Sequence, residues 1–274
     1  MLIDTHTHIF DDKFENKEEI IRNALNNNVK EMIVVGYDKE SSIKALELVK
    51  KYDFLYLSIG LHPSEVLKEN DEDLSWMHEI LKSEKVVAIG EIGLDYYWDK
   101  SFKEEQKKYF KKQIEIAKEY NLPIIVHCRD AVQDCFDILK DESVEGVMHC
   151  YSGSLEMAKE FVKKGYYLGV GGVVTFKNAV EIKKIAKEIE LTHILSETDC
   201  PYLAPTPYRG KRNEPAYVKY VVEEIAKIRG ESIDAVEGCL EANAKKLFRL
   251  WGGNNEKKYS CYNVIIDCYL FVWL

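Results

Sequence analysis

The chain has 274 residues, 46% hydrophobic and 31% charged, with 38 basic against 47 acidic side chains and a net charge of −9. That length and apolar content suffice for one large domain with its own core, and no low-complexity tract or short repeat points to disorder or a repeat array. An acidic molecule repels a polyanion over most of its surface, which excludes a general nucleic-acid coat and leaves only a local, metal-assisted grip on phosphate.

In chain order, runs rich in Val, Ile, Leu and Tyr predict eight strands, over residues 2–8, 31–36, 54–61, 86–94, 123–127, 146–149, 167–171 and 193–199. They begin about every 27 residues, room for a strand, a loop and a helix of three to four turns, which is the rhythm of a parallel sheet. Phe110, Ile114 and Ala117 share one helical face, and Ser101 with Glu104 predicts a capping box at the start of that helix. Eight such units without a long linker favour an α/β fold of the single (β/α)8 TIM-barrel type over an open doubly wound sheet.

Residues 200–215 hold four of the six prolines, so the loop after the eighth strand is long and stiff. Two helices are predicted beyond it, over 216–229 and 232–250, the second being extra to the eight units. The barrel is therefore assigned to residues 1–251 and an atypical tail to 252–274. The tail is polar from Asn254 to Lys258 and apolar from Val264 to Leu274 apart from Asp267. That apolar run is about half of the ~20 residues a spanning helix needs. The tail reads either as a docking segment or as a non-essential extension. The second is the expectation, because an apolar chain end is an aggregation liability. The seven cysteines form no Cys-x-x-Cys pair and no signal-peptide pattern opens the chain, which together suit the reducing cytoplasm.

Metal-capable residues collect where these strands end. His6 and His8 close the first strand, Glu91 lies near the end of the fourth, His127 ends the fifth, His149 the sixth and Asp199 the eighth. Strict alternation along the first strand puts Asp4, His6 and His8 on one face, inward if Ile3 and Thr7 point out. In a parallel barrel the carboxyl ends of the strands meet on one rim, where barrel active sites are built. One histidine at a strand end is more often a hydrogen-bonded structural residue. Four histidines and two carboxylates at matching positions instead call for cations, and two divalent ions would give each ion three or four protein ligands.

The neighbours are weaker signals. Glu197 shares the parity of Asp199 and either orients a ligand or makes a simple buried hydrogen bond. Asp95 and Arg129 follow Glu91 and His127 closely and either contact substrate and ligands or form an ordinary loop ion pair. His62, after the third strand, faces the rim as a phosphate contact. Arg209, with Lys211 and Arg212, concentrates positive charge on the proline-rich loop; a solvated cluster is the plain reading, a phosphate contact the functional one. His78 and His193 are expected to be structural, and no base stands beside Cys128, Cys150 or Cys200 for thiol catalysis.

Six stretches carry a resemblance over about residues 1–250: Asp4-Thr5-His6-Thr7-His8, Gly90-Glu91-Ile92-Gly93-Leu94-Asp95, His127-Cys128-Arg129-Asp130-Ala131, His149-Cys150-Tyr151-Ser152-Gly153, Glu197-Thr198-Asp199-Cys200-Pro201-Tyr202-Leu203, and Pro207 through Pro215. With them the chain resembles the TatD family of metal-dependent hydrolases among the amidohydrolase-type barrels. The resemblance implies His6, His8, Glu91, His127, His149 and Asp199 as metal ligands. It also implies activity as a deoxyribonuclease that trims single-stranded DNA from the 3′ end.

The expectation is then a cytoplasmic, monomeric phosphodiesterase with two divalent ions (Mg, Mn or Zn), Glu91 bridging them and Asp199 also taking a proton from the attacking water. Ester hydrolysis at the same site, as in aminoacyl-tRNA deacylation, is the alternative, and a non-catalytic metal-binding scaffold the second alternative. Cyclic-amide hydrolysis is disfavoured, since Glu91 stands where many such barrels carry a modified lysine and the nearest lysines are Lys85 and Lys100.

Overall fold

The computed structural model describes residues 1–69 and 72–250. Eight parallel strands run in sequential order around a (β/α)8 barrel: β1 (Leu2–Thr7), β2 (Val29–Val35), β3 (Leu55–Ile59), β4 (Val86–Asp95), β5 (Ile124–Arg129), β6 (Gly146–Met148), β7 (Tyr167–Val170) and β8 (Ile194–Ser196). The helices α1 (Lys17–Asn26), α2 (Lys39–Val49), α3 (Ser75–Ile80), α4 (Lys103–Glu119), α5 (Val132–Leu139), α6 (Leu155–Lys163), α7 (Val180–Glu188) and α8 (Val218–Arg229) alternate with them. The seam between β8 and β1 is joined by Asp199 N–H to His6 O (2.9 Å) and His8 N–H to Cys200 O (2.9 Å). The two seam bonds thus tie the chain segments that carry three of the predicted ligands.

The core has two layers because every strand is buried on both faces. Alternate residues such as Leu57, Val126 and Leu168 pack outward against the helices. Ile33, Val35, Val87, Ile125, Val147 and Leu195 fill the interior, where Ala244, Leu247 and Phe248 of a ninth helix, α9 (Ile233–Phe248), join them. That helix is the extra one expected from the sequence. It starts at Ser232, whose hydroxyl accepts from Ala235 N–H at 3.2 Å, and Asn243 ties it to Leu191 O and Ile194 O at 2.8 Å each.

Two expectations about local structure are corrected. The capping box does not form: α4 begins behind Phe102 with no side-chain cap, and Ser101 N–H donates instead to Asp99 Oδ1 at 2.8 Å. Nor does β1 alternate strictly. Four residues of β1, Asp4 to Thr7, run beside three of β2, Met32 to Val34, so the strand carries a bulge. Ile3 lies in the interior cluster before the bulge, and His6 and His8 enter the rim after it. Asp4 is diverted to β8, accepting from Thr198 Oγ1 (2.6 Å) and Thr198 N–H (2.9 Å). Burial pushes its carboxyl up to about 8 despite these bonds.

A second bulge lies in β4, where Ile89 to Ile92 spans one residue more than its partner segment from Ile124 to Val126. It re-aims Glu91. Just beyond, Gly93 sits at φ +142°, where a Cβ would lie 2.0 Å from His127 O, so only glycine lets β4 run this close to β5.

Residues 252–274 and Trp251, and with them the expected tail, lie outside the described residues. No helix among the described residues is long and apolar enough to cross a membrane.

Candidate metal centre

All six sequence-predicted ligands meet at the carboxyl ends of the strands, and His62 joins them. Glu91, 5% exposed, lies at the centre with its two oxygens facing different imidazoles. Oε2 is 3.5 Å from His6 Nε2 and 4.0 Å from His8 Nε2. Oε1 is 2.6 Å from His127 Nδ1, 3.7 Å from His62 Nε2 and 3.8 Å from His149 Nε2. Asp199 closes the opposite side, its Oδ1 3.4 Å from His8 Nε2, 3.8 Å from His149 Nε2 and 3.9 Å from His6 Nε2. His149 therefore stands between the two carboxylates, its ring stacked on His6 at 3.5 Å.

The strand ends alone do not deliver this geometry. β6 stops at Met148 and β8 at Ser196, so His149 and Asp199 lie on the following loops rather than on strands. Asp199 adopts a left-handed backbone (φ +57°), as does Cys150 beside His149 (φ +41°). Such conformations cost a non-glycine residue of order 1 kcal/mol and are held by surrounding bonds, here Asp199 N–H to His6 O.

Most of these rings have a partner behind them that sets the tautomer. His8 Nδ1 lies 2.7 Å from Val35 O and donates its proton there, so that Nε2 faces the site. His127 Nε2 donates to Asp95 Oδ2 at 3.0 Å, turning Nδ1 toward Glu91. His149 Nδ1 is 3.1 Å from Glu197 Oε1, close but out of line for a good hydrogen bond. Glu197 Oε1 instead accepts Cys150 N–H, so of its two sequence readings the buried hydrogen bond is the one present. Glu197 fits because Gly169 has no side chain: a Cβ there would meet both Glu197 oxygens at 2.6 Å.

Two residues that sequence reasoning missed hold the loops in place. Gln106 on α4 accepts from Asp95 N–H and donates to Asp95 O, both at 2.9 Å. Gln113, two turns on, accepts from Leu61 N–H (2.6 Å) and donates to Leu61 O (3.1 Å), fixing the residue before His62. The available signal was two glutamines seven apart on the same stripe as Phe110, Ile114 and Ala117, where polar residues are expected only if fully bonded.

The electrostatics follow from this crowding. Burial opposes ionisation of Glu91, but His62, the His127 hydrogen bond and His149 outweigh it and keep the carboxyl well below its usual range. Burial, reinforced by His127, pushes His62 down to about 3, so its ring is neutral and a lone-pair donor. At His127 burial again opposes charge, yet Asp95 and Glu91 win and raise the ring to about 9.

Among the described residues, four groupings of three donor atoms fall within 4.8 Å of one another, including His6–His8–Glu91, His6–His149–Asp199 and His62–Glu91–His127. Mixed imidazole nitrogen and carboxylate oxygen donors with preset lone pairs fit divalent transition ions such as Zn or Mn. An imidazole coordinates only without a proton on the donor nitrogen, and carboxylates beside His127, His149 and His8 raise all three rings, so metal uptake near pH 7 is expected to release protons and apparent affinity to rise with pH. Calorimetric titration in buffers of different ionisation enthalpy measures this; a pH-independent affinity with no proton release would take these raised rings out of the ligand set.

The centre floors a cavity of about 880 Å3 that also takes in Asp95, Trp98, Arg129 and Tyr202. Arg129 ends β5 at the cavity edge. Arg209 is exposed over the Phe176 ring (4.3 Å), outside the residues that line the cavity. Arg212 is a strap, donating to Lys13 O at 2.8 Å. His78 Nδ1 bonds Tyr120 OH at 2.9 Å and the His193 ring packs 5.7 Å from Tyr167, both away from the centre.

A parallel barrel with five imidazoles and two carboxylates converging on its carboxyl rim defines a metal-dependent hydrolase. The chain belongs to the TatD-related DNase family, whose model matches residues 3–249. It is 49% identical over 254 residues to the metal-dependent hydrolase YabD of Bacillus subtilis, covering 91% of this chain and all of that protein. The crystal structure of YjjV, a TatD homologue from Escherichia coli K12, superposes with a TM-score of 0.87 at 32% identity, covering 91% of this chain and 98% of that one. A TatD-family hydrolase structure from Entamoeba histolytica follows at a TM-score of 0.79 and 25% identity, over 90% and 97%.

Proposed function

We propose that this metal-dependent hydrolase is a cytoplasmic, monomeric phosphodiesterase that releases nucleotides from the 3′ end of single-stranded DNA with two divalent ions, Mg, Mn or Zn. The observation that carries the reading is the division of Glu91, one oxygen toward His6 and His8, the other toward His127, His149 and His62. In this reading His6, His8 and Asp199 would hold one ion with Glu91, and His127 and His149 would hold the other, with His62 beside Glu91 Oε1. Divalent ions held there lower the pKa of water toward neutrality and neutralise charge on phosphoryl oxygens.

The chain's own residues do the rest. Asp199, at the mouth of the centre, accepts the proton of the attacking water on Oδ1. Asp95 holds His127 in the tautomer this needs, and Glu197 places negative charge beside the His149 ring. Arg129 at the rim offers N–H donors to a non-bridging phosphate oxygen, and Arg209 offers a second cation farther out. The net charge of −9 restricts a polyanion to this local contact.

The test incubates metal-stripped full-length protein with a 3′-labelled single-stranded oligonucleotide, with and without Mg, Mn or Zn. Metal-dependent release of the terminal nucleotide is expected. No cleavage with any ion, alongside measured metal binding and hydrolysis of aminoacyl-tRNA, would replace this reading with the carboxylic-ester one.

A further inference from the structure

Directly after β4 the chain leaves two aromatic rings at the cavity edge. Trp98 is 76% exposed and lines the cavity that holds Glu91 and His127, and Tyr97 is 51% exposed. Burying neither ring is costly in water, and nothing in the barrel's packing requires them there. Their arrangement is specific. The rings meet edge to face at 4.8 Å, and the Arg129 guanidinium lies 3.7 Å from the Tyr97 centroid and 5.4 Å from that of Trp98. Arg129 has no carboxylate at ion-pair distance among the described residues, so its positive charge is uncommitted.

This platform is tied to the metal centre. Asp95 accepts Tyr97 N–H on Oδ1 (2.9 Å) and His127 Nε2–H on Oδ2 (3.0 Å), so one carboxylate sets both the aromatic turn and a ligand ring. Asp95 also pairs in register with Arg129 across β4 and β5, and Tyr96 N–H bonds Arg129 O at 2.9 Å. Aromatic faces next to a guanidinium with no carboxylate partner among the described residues, on the cavity that also holds Glu91 and His127, match an unpaired nucleotide: a base for the ring, a phosphate for the cation.

We propose that Trp98 is the stacking platform for the nucleobase nearest the scissile phosphate, with Arg129 fixed over Tyr97 to receive that nucleotide's phosphate. The proposal rests on the nuclease reading above. It makes single-strandedness a requirement of the site, since a paired base has no free face for Trp98.

The experiment is a cycle of two changes, Trp98→Ala in the full-length protein and an abasic 3′-terminal nucleotide in the oligonucleotide, followed by KM and kcat with metal present. Each change alone raises KM about tenfold while kcat moves less than about twofold, and both together cost no more than one, because a missing ring and a missing base remove the same contact. Trp98→Phe retains most of the affinity, and the exposure of the ring lets either variant fold. Penalties that multiply, or a Trp98→Ala protein with wild-type KM, overturn the stacking role while leaving the nuclease reading intact. A wild-type protein that cleaves no DNA with any ion removes both.

Discussion

Glu91→Gln is expected to abolish turnover, with kcat/KM lower by at least about three orders of magnitude, and to bind at most one divalent ion where two are proposed for the wild type. The reason is positional. Five imidazoles lie within 4.0 Å of this one carboxylate, on two sides of it. No other carboxylate among the described residues has that access: Asp199 reaches His6, His8 and His149 but is not paired with His127, and Asp95 and Glu197 each stand behind a ring. An amide of the same size keeps the cavity filled but has one acceptor and no charge, so it cannot serve both sides. The loss of several kcal/mol of transition-state stabilisation supplied through bound ions accounts for the rate. Equilibrium dialysis with metal analysis gives the stoichiometry and circular dichroism confirms the fold. Two bound ions in Glu91→Gln, or turnover within tenfold of wild type, would show that Glu91 does not join the two sides.

Asp199→Asn separates proton transfer from binding: kcat falls about 100- to 10,000-fold while KM for the oligonucleotide changes little. Asp199 is more open than Glu91, with side-chain exposures of 15% and 7%, so water reaches it first. Burial opposes its ionisation, but the His8 hydrogen bond and the charges of His149 and His6 keep the carboxyl below its usual range, ready to accept a proton throughout the neutral region. Asparagine keeps the shape and loses the base. A kcat within threefold of wild type at saturating metal assigns the proton to another acceptor; an unchanged kcat with a raised KM makes Asp199 a binding residue only.

Much of this was readable from local pattern. The eight strands, the order of βα units and the ninth helix all follow from hydrophobic periodicity, because a parallel barrel repeats one unit and each unit announces itself within about thirty residues. The metal-capable residues were legible for the same reason, since each stands at or just past a strand end and the barrel brings those ends to one rim.

What periodicity could not supply was registry between strands. The bulges in β1 and β4 exist only as a mismatch between neighbours, Asp4–Thr7 against Met32–Val34 and Ile89–Ile92 against Ile124–Val126. Strict alternation therefore misplaced Ile3 and grouped Asp4 with His6 and His8, whereas Asp4 bonds Thr198. The Ser101 pattern failed similarly: Asp99 two residues earlier competes for its backbone N–H, and the helix starts at Lys103 instead.

The sequence by itself determined the barrel, the extra helix and the kinds of donor at its rim, because composition and spacing are properties of short stretches. Only the tertiary structure decided which donor faces which. Glu91 divides between two sets of rings, His62 stands with them, and Gln106 and Gln113 pin Asp95 and Leu61. Each of these contacts joins residues from different βα units, and the distance between such residues is set by bulges, tight glycine contacts and loop bonds that no single stretch encodes.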